Sequence, residues 1–147
     1  MMEGLSSYLE RIQSSFQITL QKMQPKIVES MNEHGVTPTQ FYVLIYLCKQ
    51  RSCKISELAE YMGVKPSAVT FMIDRLEQNN FVVREHDKKD RRVVNISLST
   101  EGEEKLKTVI KARKAIAEQF LCYLSEEELA QFASIAEKLA EATAKEK

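Results

Sequence analysis

Apolar residues recur every three or four positions through most of this chain, and turn-forming residues stand where that rhythm breaks. Leu5, Leu9, Ile12, Phe16, Leu20, Met23, Ile27 and Met31 form one stripe, which predicts a long amphipathic helix over residues 5–33. Pro25 lies inside it and lacks a backbone donor, so a kink or division is expected there. Thr37-Pro38-Thr39-Gln40 reads as the next helix start, with Thr as cap, Pro at the first position and Gln completing a capping box. Phe41, Val43, Leu44, Ile45, Leu47 and Cys48 follow and are apolar on most sides, which predicts a helix at the centre of the core with Cys48 inside it. Gln50 to Lys54 is polar and reads as a loop that leaves Cys53 accessible.

Ile55 and Ser56 open a short helix whose Leu58, Ala59 and Met62 face inward, ending at Gly63. Only Val64 and Lys65 separate that stop from Pro66, which can begin another helix. There Val69, Met72, Ile73 and Leu76 share one face, leaving Ser67, Thr70, Phe71, Asp74, Arg75 and Gln78 outside. Two short helices joined by a tight turn containing glycine are the helix-turn-helix arrangement. Phe81 to Arg84 and Val93 to Leu98 are rich in β-branched residues and predict two strands, with a charged loop from His86 to Arg92 between them. Thr100 with Glu103, and Ser125 with Glu128, read as further capping boxes opening two more amphipathic helices.

The expected fold class is therefore mainly α with a small antiparallel β-wing: a winged helix-turn-helix over residues 37–98, flanked by an N-terminal helix (1–36) and C-terminal helices (99–147). The apolar stripes of the flanks are long for one chain to cover, which predicts a homodimer that presents two recognition helices to two half-sites.

Charge and composition sharpen this only modestly. The 147 residues carry no net charge, yet residues 37–98 hold ten Lys/Arg against seven Asp/Glu, so the flanks are correspondingly acidic. A mildly basic middle suits contact with DNA. No apolar run is long enough to cross a membrane, no secretory leader opens the chain, and three scattered cysteines do not suggest a disulfide framework, so a cytoplasmic protein is expected. Only four glycines occur, and no nucleophile–base pair, paired carboxylates or phosphate loop is visible, which argues against an enzyme. His34 and His86 are far apart, and no ligand spacing suggests a metal or cofactor.

In order and spacing, Thr37-Pro38-Thr39-Gln40-Phe41-Tyr42-Val43-Leu44, Ile55-Ser56-Glu57-Leu58-Ala59, Pro66-Ser67-Ala68-Val69-Thr70, Ile73-Asp74-Arg75-Leu76-Glu77, Asp87-Lys88-Lys89-Asp90-Arg91-Arg92 and Leu98-Ser99-Thr100-Glu101-Gly102 resemble the MarR family of bacterial transcription regulators along nearly the whole chain. The resemblance implies a dimeric regulator, more often a repressor, of pseudo-palindromic operators in double-stranded DNA. A small aromatic effector that releases DNA is also implied. The helix 66–79 would enter the major groove with Ser67, Ala68 and Thr70 near its exposed start, and Arg75 would contact DNA. In the wing, Arg92 would reach the minor groove, braced by Asp90, with Lys88, Lys89 and Arg91 near phosphates. Phe16, Met23, Tyr42 and Tyr46 are the candidates for an effector pocket. The competing reading is a winged-helix module that binds a protein partner instead of specific DNA.

Two positions depart from simple expectation. Lys65 occupies an N-cap, where it can accept no hydrogen bond and opposes the helix dipole. It is either a phosphate anchor or a tolerated surface lysine. Phe71 stands where many relatives of that family carry a polar residue, and either meets a thymine methyl or packs on the ribbon. No cysteine lies near the start of the first helix, where the peroxide-sensing branch of the family keeps one, and neither Cys53 nor Cys122 is assigned a redox role.

Overall fold

The structure, a computed structural model, describes residues 2–146. The chain runs through α1 (Met2–Glu33), α2 (Pro38–Gln50), β1 (Ser52–Lys54), α3 (Ile55–Met62), α4 (Pro66–Gln78), β2 (Val82–His86), β3 (Val94–Leu98), α5 (Thr100–Leu121) and α6 (Glu126–Ala144). It is mainly helical with a small antiparallel sheet, the winged helix-turn-helix class. Two compact units form: Gln24–Arg113, and the residues up to Met23 together with those from Lys114 onward.

The core of the Gln24–Arg113 unit is built where the helical stripes predicted it. Val43, Leu44 and Leu47 of α2, Leu58 of α3, Val69, Ile73 and Leu76 of α4, and Ile96 of β3 are all fully buried. Met31 and Val36 enter this core from before residue 37, and Leu106 and Val109 from beyond residue 98. The unit is therefore wider than the 37–98 segment delimited from sequence. The Thr37 capping box forms as read: the Thr37 hydroxyl accepts from the Gln40 N–H at 3.1 Å and the Gln40 side chain accepts from the Thr37 N–H at 3.0 Å. The turn of the helix-turn-helix depends on Gly63, whose φ of 66° is a left-handed conformation that a Cβ disfavours. Its N–H and that of Val64 return to the end of α3 at 3.2 and 3.1 Å, directing the chain straight into α4.

Four local expectations are corrected. Residues 52–54 are not loop but β1, an edge strand that pairs antiparallel with β3, so the sheet has three strands in the order β1-β3-β2. Cys53, opposite Ile96 on that strand, is buried rather than accessible. Cys48 is exposed rather than core: it shares the face of Leu44, but it lies in the last turn of α2, where the burial ends. Of the kink or division expected at Pro25, the division does not occur, since α1 is one continuous helix: proline removes its own donor, while turns on either side keep theirs.

A smaller shift concerns α5. Its cap is Ser99 rather than Thr100: the Ser99 hydroxyl accepts from the Gly102 N–H at 2.9 Å while donating to the Asn80 carbonyl. That bond joins the start of α5 to the turn before the wing.

In the other unit, Phe16 lies 6.5 Å from Phe132 between ring centroids. The Ser125–Glu128 capping box opens α6 as read, and hydrogen bonds from Ser125 hold the Glu128 carboxyl below its ordinary pKa. Yet α6 buries no residue, and its Ile135 and Leu139 are 62% and 64% exposed, as is much of the early α1 stripe. Among the described residues, no helix is long and apolar enough to cross a membrane.

Candidate nucleic-acid interface

Helix α4 sorts its residues cleanly. Val69, Ile73 and Leu76 fix one side in the core, while Ser67, Ala68, Thr70, Phe71 and Arg75 are exposed on the other. Lys65, its N-cap, has an extended backbone and provides no side-chain cap, and Pro66 holds the first position. Pro66 has no N–H and that of Ala68 donates to the Lys65 carbonyl at 3.0 Å, so the first turn offers an anion the Ser67 N–H and the adjacent lysine. The Thr70 hydroxyl donates back to the Pro66 carbonyl at 3.0 Å. Phe71 is 60% exposed, and the Arg75 guanidinium lies over its ring, 5.0 Å from the centroid. Its ring contact is thus with Arg75 on the helix surface.

The wing is organised by short polar contacts. The Asp90 carboxylate accepts from the Arg92 backbone N–H at 3.0 Å and from its Nε at 3.3 Å. The Asp87 N–H reaches the Val93 carbonyl at 2.9 Å, and His86 Nδ1 lies 2.8 Å from the Arg91 carbonyl oxygen. These contacts hold the tip while the Arg92 side chain stays 93% exposed. Lys88, Lys89 and Arg91 are exposed on the same loop.

One residue that sequence reasoning missed ties the two pieces together. Arg84 on β2 pairs with Asp74 at 2.5 Å and Glu77 at 3.4 Å, and reaches the Thr70 carbonyl at 3.5 Å. It fastens the wing to the recognition helix and neutralises the two carboxylates that α4 carries. Its signal was available: two acids three residues apart on one helix, followed by an arginine on the next strand.

The four effector-pocket candidates are split between the units. Phe16 and Met23 belong to one; Phe16 borders a cavity of about 490 Å³ that is also lined by Tyr8, Ile12 and Phe132. Tyr42 and Tyr46 belong to the other and stack on Tyr61, at 5.5 and 4.2 Å between centroids, where the Tyr61 hydroxyl donates to that of Tyr42. That hydrogen bond raises the Tyr61 pKa. Burial and then the nearby Glu57 push the Cys53 thiol up to about 11. Among the described residues, no three His, Cys, Asp or Glu side chains form a group that could hold a metal ion.

A helix-turn-helix whose second helix shows a polar and cationic face, next to a cationic β-hairpin, defines the winged helix-turn-helix class. The MarR family profile matches residues 36–94. The HTH-type transcriptional repressor MdtR of Bacillus subtilis is 50% identical over 141 residues, covering 96% of this chain and 91% of that protein. Among solved structures, YusO of Bacillus subtilis superposes with a TM-score of 0.82 at 51% identity, covering 93% of this chain and 97% of its own. A MarR family protein from Bacillus stearothermophilus also gives 0.82, at 28% identity over 99% of both chains. The chain belongs to the MarR family of transcription regulators.

Proposed function

We propose that this protein represses transcription by binding a pseudo-palindromic operator as a homodimer and leaves it when a small aromatic effector binds. The observation that carries the reading is the pairing of the exposed α4 face with the Arg92 wing, locked together by Arg84, in a chain half identical to a named repressor. On this reading Ser67, Ala68, Thr70, Phe71 and Arg75 face base edges or adjacent phosphates, and Lys65 with the Ser67 N–H holds a phosphate. Arg92 enters the minor groove, oriented by Asp90, while Lys88, Lys89 and Arg91 lie along the backbone. The flanking helices supply the dimer, a role supported by the unburied apolar side chains of α1 and α6. The effector meets Phe16 at the cavity it borders with Tyr8 and Phe132, because an aromatic ligand needs aromatic walls.

The test is selection of bound sequences from random duplexes, repeated with phenolic compounds and with peroxide. An enriched two-fold symmetric sequence, released by a phenol, supports the reading. Enrichment of no sequence contradicts it and leaves the wing and helix to a protein partner.

A further inference from the structure

We propose that Phe71 and Arg75 read two neighbouring base pairs as one unit, Phe71 meeting a thymine methyl and Arg75 the guanine beside it. This rests on α4 being the helix that enters the groove, and it adds which base pairs are read and which residue sets that preference.

Phe71 is not a core residue. Val69, Ile73 and Leu76 already fill the buried side of α4, and Phe71 is 60% exposed among the small side chains Ser67, Ala68 and Thr70. An isolated aromatic ring on a polar face gains nothing from water, but this one carries the Arg75 guanidinium four residues on, 5.0 Å above its centroid. The stack limits the rotamers of a side chain that otherwise gives up considerable freedom on binding. Cation–π attraction acts on the charge and consumes none of the N–H groups as hydrogen-bond donors, which leaves the donor-bearing edge available. Asp74 and Glu77, the carboxylates nearest to Arg75 along the helix, are both engaged by Arg84 and do not draw that edge away.

A guanidinium edge matches the O6 and N7 acceptors of guanine in the major groove, and the apolar feature offered there is the thymine methyl. Ring and guanidinium lie 5.0 Å apart, more than one and less than two of the roughly 3.4 Å steps between successive bases. One stacked pair therefore spans adjacent base pairs.

The experiment measures affinity for the selected duplex and for copies in which single thymines are replaced by uracil, removing only the methyl. It uses the wild type, Phe71→Ala, Arg75→Ala and the double variant, with thermal unfolding as a control. One uracil position should cost the wild type about fourfold per half-site, the value of one buried methyl. Phe71→Ala should no longer distinguish thymine from uracil there, and Arg75→Ala should cost less in the Phe71→Ala background than alone. A guanine next to that thymine should lose its importance in the Arg75→Ala variants and matter less in Phe71→Ala. The proposal is overturned if the wild type binds specifically yet no uracil substitution matters, if the uracil effect persists in Phe71→Ala, or if the two alanine effects are additive. A wild type without sequence preference would overturn both this proposal and the reading beneath it.

Discussion

Arg92 stands in solvent with Asp90 at 3.3 Å holding its Nε, a side chain arranged to reach outward without folding back on the wing. Arg92→Ala should cost about 1–3 kcal/mol of binding to the selected duplex while changing nonspecific binding little. Equal losses on both duplexes, measured by mobility shift, would reduce Arg92 to a phosphate contact. Cys53 shows what the sequence hides at this scale. A three-residue edge strand is too short to display an alternating pattern, so its buried middle residue looks like part of a polar loop. Burial and Glu57 raise the Cys53 thiol to about 11, so a maleimide at neutral pH should label Cys48 and Cys122 quickly and Cys53 only after unfolding. The folded state holds that proton more tightly than the unfolded chain. Stability is accordingly untouched below the ordinary pKa of 9.0 and falls as pH rises from there toward about 11. Rapid labelling of all three cysteines in the folded protein would contradict the burial.

At the scale of elements, capping residues and turn glycines were legible because each rests on local chemistry. The Thr37 and Ser125 boxes and the Gly63 turn form as their residues dictate. The Thr100 start was read one residue late because Ser99, also able to cap, has a second partner in the Asn80 carbonyl that no local pattern reveals. Gly102 belongs to the same junction. A Cβ there would lie 1.9 Å from the Phe81 carbonyl oxygen, a backbone atom with little room to retreat. Gly102→Ala should destabilise the protein by about 1–3 kcal/mol or more, as overpacking does, seen as a lower denaturation midpoint with an unchanged slope. An unchanged midpoint would mean that α5 does not need this close approach. The Arg84 clamp left a trace, acids at 74 and 77 ahead of an arginine at 84, but that spacing does not say by itself that the strand packs on the helix.

The whole molecule divides its apolar surface unevenly. The Gln24–Arg113 unit closes a core around α2 and α4, whereas α6 buries nothing despite carrying Phe132, Ile135 and Leu139. Periodicity revealed the stripes but not whether this chain or another covers them, since the same spacing serves both uses. Net charge was equally uninformative: it sums to zero, and the cations that matter are placed by the wing and α4. The central claim is that two copies grip one operator through paired helices and wings. Its most direct test is the stoichiometry and affinity of binding, followed with increasing salt on the selected duplex and on a scrambled one of equal length. The account predicts two chains per duplex, at least about a thousandfold preference for the selected sequence, and affinity on both duplexes that falls as salt rises. One chain per duplex, or equal affinity for both sequences, would contradict it.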